Sequence, residues 1–327
     1  MEFRKIGNTD IEASVITFGA WAAGGWMWGS TDRKQATEAI IAAYDEGVTS
    51  IDTAPIYGQG TSEEIVGEAI RGIARDKVQI LTKFGMRWDL STPQGALAMH
   101  SKDNNGQPID IYKYAGKESV IKETEASLKR LKTDYIDLLQ LHWPDVTTPI
   151  AETMEALEIL IQQGKIRAAG VSNYTTEQVK EARHTLPIVS NQVPYSMLNR
   201  GIETELVPYA LNNHLSIIAY SPMERGLLTG KYTQGFNLQE GDHRQTYFKS
   251  FDLKKVNHFL QQIEPIAATK GISLSQLVLR WTSLQPGITL VLAGARNAQQ
   301  AVENAKAAQV QLAPEELAFI QQALEKI

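Results

Sequence analysis

Val48-Thr-Ser-Ile-Asp52-Thr-Ala-Pro-Ile-Tyr57-Gly58 is a short apolar run that stops at an acid and reaches a tyrosine five residues later. Val78 to Leu81 leads in the same way to Lys83, and Ile136 to Leu141 ends against His142. Such runs alternate with longer helical patterns from Val15 almost to the carboxyl terminus, the pattern of repeated βα units around parallel strands. The strand candidates are Val15–Phe18, Thr49–Asp52, Val78–Thr82, Tyr135–Gln140, Ala168–Val171, Ile188–Gln192, Ser216–Ala219 and Thr289–Leu292. Parallel-barrel enzymes keep their chemistry where such strands stop, which makes the terminal polar residues catalytic candidates.

The helix from Asp32 to Glu46 opens on the capping signal Ser30-Thr31-Asp32, carries Ala36, Ile40 and Ala43 on one stripe, and stops at Gly47. Lys117 to Leu131 reads as an amphipathic helix, and Pro314-Glu315-Glu316 starts a last one with Leu317, Ile320 and Leu324 on one side, expected on the outside or rim. Ahead of the first βα pair, residues 3–6, 7–10 and 11–14 read as strand, turn and strand, a hairpin that could plug one end of a barrel. Two polar segments break the rhythm, Arg87 to Gly116 with Asn104-Asn105-Gly106, and Tyr232 to Ser250 with Gly235, Gly241, Asp242 and His243. Both are expected to be lids or substrate-binding loops.

Bulk properties narrow the function. The 327 residues are 43% hydrophobic and 21% charged, and no Pro/Ser/Gly linker divides them, so one domain spanning 1–327 is expected. A net charge of −5 with interspersed lysines and arginines argues against nucleic acid as partner. With no cysteine there is no disulfide, thiolate nucleophile or zinc–thiolate site, and the six histidines lack metal-ligand spacing. MEFRKIGNTD is no signal peptide and no run approaches the ~20 apolar residues of a membrane span, so the expected location is the cytoplasm.

Asp52, Tyr57, Lys83 and His142 together could build a proton-donating tyrosine. A neighbouring ammonium favours the ionised phenol and would lower its pKa, Asp52 could keep Lys83 charged, and His142 would hold a substrate oxygen. In context, Ile51-Asp-Thr-Ala-Pro-Ile-Tyr57-Gly, Leu81-Thr-Lys83, Leu141-His142-Trp-Pro and Gly170-Val-Ser-Asn173, in this order and each after its own strand, resemble the aldo-keto reductase superfamily. The resemblance runs from the hairpin to the last helix. It implies a (β/α)8 TIM barrel that binds NADP(H) across its carboxyl-terminal mouth and reduces a small-molecule carbonyl. Tyr57 would be the general acid, tuned by Lys83 and Asp52, with His142 orienting the carbonyl. No G-x-G-x-x-G follows a strand, and Gly24-Gly25 lacks that spacing.

The hydroxyl and amides of Ser172, Asn173 and Gln192 suit a nicotinamide carboxamide. Tyr220 resembles the ring that stacks on the nicotinamide, and Gly19, Ala20 and Trp21, just after the first strand, are expected to bind the cofactor as well. The segment Ser221-Pro222-Met223 to Lys231, including Gly226 and Leu228, resembles a pyrophosphate-covering loop. Gly294, Arg296, Gln300, Glu303 and Asn304 resemble the segment that holds the adenosine 2′-phosphate and adenine, which favours NADPH; many members carry a lysine where Gly294 stands. Trp21, Trp26, Trp28, Trp88 and Trp143 all fall in mouth-side loops and are expected to line an apolar pocket, with His100, Lys102 or Arg244 as polar additions. Two other readings compete: a cofactor-sensing binding subunit with slow turnover, and a barrel isomerase or aldolase with Lys83 as a Schiff-base nucleophile.

Overall fold

The structure is a computed structural model that describes every residue except 30, 233, 234, 236, 237, 239, 240 and 241. Its strands are β1 (Phe3–Lys5), β2 (Glu12–Ser14), β3 (Ile16–Gly19), β4 (Ser50–Asp52), β5 (Gln79–Phe84), β6 (Met86–Arg87), β7 (Ala96–Lys102), β8 (Pro108–Lys113), β9 (Ile136–Leu141), β10 (Ile166–Ser172), β11 (Ile188–Pro194), β12 (Ser216–Tyr220) and β13 (Ile288–Gly294). Eight of them, β3-β4-β5-β9-β10-β11-β12-β13, close a parallel barrel in chain order, and each expected strand falls on one of these.

Side chains alternate across each strand, and both faces of a barrel wall are covered, so the strands read as nearly continuous apolar runs. Leu81, Leu138, Ala168, Ile218 and Leu290 meet in the interior cluster, whereas their neighbours Ile80, Leu139, Ala169, Ile217 and Val291 belong to the shell under the helices. Counting on by two from the interior positions gives Lys83, Gln140, Ser172 and Tyr220, with His142 next beyond β9. Asp52 pairs with Leu81 and Gln192 with Ile218, which gives both the same inward parity. One alternation therefore packs the lower barrel with hydrocarbon and turns polar groups inward at its upper end.

The amino-terminal hairpin forms as expected, with Phe3 opposite Ser14 and Lys5 opposite Glu12. Ile6, Ile11 and Ala13 join the interior cluster, so the hairpin closes the barrel floor. The helix Arg33–Asp45 is capped by Asp32, whose side chain accepts from the Gln35 amide; Ser30 of the expected signal lies outside the described residues. The last helix, Pro314–Leu324, packs on helix Leu253–Lys270, where Lys270 pairs with Glu316 at 3.0 Å. Among the described residues no helix is long and apolar enough to cross a membrane.

The Arg87–Gly116 segment was expected to be a lid or substrate-binding loop, with no strands assigned to it. Instead β6, β8 and β7 form a three-stranded antiparallel sheet, and Asn104-Asn105-Gly106 turns between β7 and β8. Asp103 holds the turn by accepting from the amides of Asn105 and Gln107, each at 2.8 Å. The sheet docks on the loop after β3: Trp26 Nε1 donates to the Lys102 carbonyl at 3.1 Å and Asn104 Nδ2 to the Gly24 carbonyl at 2.9 Å. Gly241 of the second polar segment lies outside the described residues, and Arg244–Phe248 is a short helix.

Candidate active site

Asp52 and Lys83 are 2% and 1% exposed. Lys83 Nζ donates to Asp52 Oδ1 at 2.6 Å and to the Thr53 carbonyl at 2.9 Å, and Gln192 Nε2 donates to Asp52 Oδ2 at 2.8 Å. Burial pushes the Asp52 carboxyl up and the Lys83 ammonium down, and each group offsets part of that shift in the other. Lys83 Nζ lies 5.1 Å from the Tyr57 ring centroid. The His142 ring meets Tyr57 edge-on at 5.7 Å, and Trp21 stacks on its other side at 5.9 Å.

Tyr57 is held by backbone contact. A Cβ on Gly24 would lie 2.5 Å from the Tyr57 carbonyl oxygen, and one on Gly58, at φ +67°, would lie 2.1 Å from the Gly24 carbonyl oxygen. Only glycines permit this approach of the two loops. Gly24, uninformative as part of a nucleotide motif, thus has a structural role at the tyrosine.

The electrostatics of Tyr57 depart from expectation. Burial, then the nearby Asp52 carboxylate, pushes the phenol well above its ordinary value, not below it. Lys83 spends its hydrogen bonds on Asp52 and Thr53, and desolvation outweighs the effect expected of its charge. The consequence is a phenol that keeps its proton at neutral pH. His142 is pushed well below its ordinary value by burial and by the Lys83 charge, so its imidazole is neutral.

Around this centre a hydrogen-bonded network joins the ends of β9 to β12. Asn173, at φ +60°, donates through Nδ2 to the His142 carbonyl and to Ser172 Oγ, each at 3.0 Å. It accepts from Tyr220 OH at 2.9 Å, and Ser172 Oγ donates to the Gln192 carbonyl at 2.8 Å. Asn173 and Tyr220 are therefore already coupled, and Gln192 gives its side-chain nitrogen to Asp52, so its side-chain oxygen Oε1 is the end it can offer a ligand.

The remaining nucleotide candidates divide. Gly19 and Gly294 are paired across β3 and β13 at the rim. The backbone of Ala20 is committed, its amide to the Asp52 carbonyl and its carbonyl to Ser62 Oγ. Ser221, Pro222, Met223 and Gly226 form an irregular turn with Ser221 at φ +55° and Gly226 at φ +101°, and Lys231 is exposed. Leu228 is 0% exposed within the main core, so its side chain is packing. Arg296 is exposed just before helix Ala298–Lys306, donates to the Trp28 carbonyl, and its amide donates to Gln300 Oε1 at 3.0 Å. Asn304 is buried and donates to the Gly294 carbonyl at 3.0 Å, while the Glu303 carbonyl accepts from Gln276.

The tryptophans do not form one wall. Trp21 lies against Tyr57, and Trp28 meets Trp21 edge-on at 5.3 Å. Trp26 is buried with Ile56, Met86 and Ile111, and Trp88 packs against that cluster. Trp143 is 37% exposed with Lys113 Nζ 4.9 Å from its ring centroid. Of the polar additions, His100 pairs with Asp110 and Arg244 with Asp242, while Lys102 lies in β7. Sequence reasoning placed His243 and Arg225 in mouth loops but gave neither a site role, and both lie beside Trp21. His243 stacks on it at 4.9 Å, and the Arg225 guanidinium carbon lies 5.5 Å from its ring centroid. The charged pair Glu224-Arg225 in the loop after Tyr220 was the signal for the latter.

A parallel eight-stranded barrel with a tyrosine, a lysine–aspartate pair and a neutral histidine gathered at its upper mouth has the make-up of a barrel oxidoreductase. Residues 15–325 match the aldo/keto reductase family, and the chain belongs to it. It is 42% identical over 305 residues to Aldo-keto reductase YhdN of Bacillus subtilis (strain 168), covering 92% of this chain and 86% of that protein. It is 34% identical to the NADH-specific methylglyoxal reductase of Escherichia coli (strain K12), over 98% of each. Among solved structures, the glycerol dehydrogenase AKR11B4 from Gluconobacter oxydans superposes with a TM-score of 0.87 at 34% identity, covering 99% of this chain and 96% of the other. An aldo-keto reductase from Klebsiella pneumoniae in complex with NADPH gives 0.73 at 31% identity, covering 98% and 95%.

Proposed function

We propose that this aldo/keto reductase reduces a small aldehyde or ketone to the alcohol, with Tyr57 as proton donor and NADPH as the preferred reductant. The observation that carries this reading is the buried Asp52–Lys83 pair beside the Tyr57 ring, with His142 at its edge. Tyr57 donates its proton to the carbonyl oxygen as the negative charge develops there. An alkoxide is a stronger base than a phenolate, so a raised phenol pKa still permits the transfer. The neutral His142 can donate a hydrogen bond to the same oxygen and fix its direction, and Lys83, near the ring, stabilises the phenolate left behind. Asp52 and Gln192 hold Lys83 in place.

The residues present fit a nicotinamide dinucleotide. Arg296 keeps guanidinium donors beyond the one it gives Trp28, and it stands before the amino terminus of a helix, where an anion is favoured. Ser172, Asn173, Gln192 and Tyr220 would hold the nicotinamide, Ser221, Pro222, Met223, Gly226 and Lys231 the pyrophosphate, and Arg296 with Gln300 and Asn304 the 2′-phosphate and adenine. When bound, the cofactor supplies hydride to the carbonyl carbon. The Klebsiella complex with NADPH supports this choice, and the NADH-specific relative from Escherichia coli makes it a matter for measurement.

The Schiff-base reading of Lys83 is disfavoured, because its nitrogen is buried, paired with Asp52 and bonded to Thr53. The deciding experiment titrates the protein with NADPH and NADH by tryptophan fluorescence and then follows cofactor oxidation with a panel of aldehydes. Tighter NADPH binding followed by turnover is expected. Binding without turnover on any aldehyde would overturn the enzymatic reading in favour of a cofactor-sensing subunit.

A further inference from the structure

Three guanidinium groups lie over the aromatic rings at the barrel mouth. Arg244 stands over Trp28 and pairs with Asp242 at 2.6 Å, and Arg296 stands over Trp28 and donates to its carbonyl. Arg225 differs. Its guanidinium carbon lies 3.8 Å from the Tyr247 ring centroid and 5.5 Å from that of Trp21, yet among the described residues no hydrogen bond or ion pair reaches it, and its buried Nε has no acceptor.

The neighbouring acid acts on it through charge alone and makes no hydrogen bond to it. Glu224 is 1% exposed and accepts from Ser196 Oγ and from Tyr247 OH. His243 offers no counter-charge either: its Nδ1 donates to the Met27 carbonyl, and its buried Nε2 has no hydrogen-bond partner. Two further N–H groups nearby, Trp21 Nε1 and Trp28 Nε1, are likewise buried without acceptors. Arg225 is half-buried, but its Nε and the two indole N–H groups are withdrawn from water without acceptors, which is costly unless a ligand supplies them.

The backbone is also specialised at this point. Glu224 and Arg225 are non-glycine residues at φ +46° and +56°, a left-handed conformation that disfavours L side chains and gathers at ligand clamps. The strained turn presents Arg225 to Trp21, and the opposite side of the contact chain, Trp21 to Tyr57, reaches the proposed proton donor.

We propose that Arg225, with Trp21 and Trp28, forms an oxyanion subsite beside Tyr57 that takes a carboxylate carried by the carbonyl substrate. This rests on the reductase reading above. The planar fork of the guanidinium donates bidentately to a carboxylate while aromatic rings lie against it, so the preferred substrates are aldehydes or ketones bearing an anionic group. A cofactor phosphate offers the same chemistry, and the test separates the two sources.

The assay compares para-carboxybenzaldehyde with its methyl ester in wild type, Arg225→Gln and Arg225→Lys, alongside the Kd for NADPH by fluorescence. In Arg225→Gln the kcat/KM for the carboxylate is expected to fall by about 10- to 100-fold, mainly through KM, as one lost charged hydrogen-bonding contact requires. The ester and the NADPH Kd should be nearly unchanged, and Arg225→Lys should recover part of the preference. Equal losses on both aldehydes overturn the subsite, and a weakened NADPH Kd with no discrimination assigns Arg225 to the cofactor instead. Wild-type turnover of the ester with no Arg225 effect rejects this subsite alone, whereas no wild-type turnover of either aldehyde rejects the reductase reading with it.

Discussion

Removing Asp52 tests whether the buried pair is a unit. Asp52→Ala leaves Lys83, 1% exposed, with only the Thr53 carbonyl at 2.9 Å, and takes away the acceptor of Gln192 Nε2. Breaking a buried ion pair from one side costs about 3–5 kcal/mol, because the remaining charge stays desolvated or must lose its proton. With 327 residues the unfolding entropy is roughly 0.7 kcal/mol/K, so the midpoint should drop by about 4–7 °C. The double variant Asp52→Ala/Lys83→Met removes both charges and should regain much of that loss while remaining inactive. Scanning calorimetry at pH 7 on wild type, both single variants and the double variant measures the coupling directly. A single variant with the wild-type midpoint, or a double variant that recovers nothing, would refute the argument that the two groups stabilise each other.

Arg296→Ala should weaken NADPH by about 1.5–3 kcal/mol and leave NADH nearly unaffected, since only the former carries the 2′-phosphate. Equal losses in fluorescence titrations would remove Arg296 from that role. Gly24→Ala pushes a methyl against the Tyr57 carbonyl oxygen, a backbone atom that cannot rotate away, and should cost about 1–3 kcal/mol with a large fall in kcat. Gly72→Ala, with open space around the new methyl, is the control that should change neither. The pH profile follows from the two shifted groups. With Tyr57 raised it stays protonated, and with His142 lowered it stays neutral, so kcat/KM for reduction should be flat across neutral pH and fall only in strong alkali. Alcohol oxidation needs the phenolate and should rise steadily with pH over the same range; a reduction profile that breaks near neutrality would contradict the assignment.

The barrel was legible because its strands are buried on both sides and end abruptly in polar residues, so Asp52, Lys83 and His142 stood out in the linear sequence. Inward parity then brings them together without further information. The β6–β8–β7 sheet was not legible, because β7 turns its small residues Ala96, Ala98 and Ser101 inward and leaves Leu97, Met99, His100 and Lys102 exposed, the reverse of the apolar-in pattern that marks a strand. Arg225 and His243 meet Trp21 only through tertiary folding of irregular loops, which no periodicity encodes. The direction of the Tyr57 shift was misread for a related reason: a neighbouring ammonium can be inferred from sequence, but the depth at which the phenol is desolvated depends on packing. The polar Ser172, Asn173, Gln192 and Tyr220 were recognisable as mouth residues, whereas their bonds to one another were visible only in the fold.

The central claim is that the Tyr57 hydroxyl supplies the proton. Its most direct test is single-turnover carbonyl reduction by Tyr57→Phe with NADPH binding measured on the same sample. The account predicts NADPH affinity close to wild type and reduction slowed by about 10²- to 10⁴-fold. Reduction at the wild-type rate by the phenylalanine variant would contradict it.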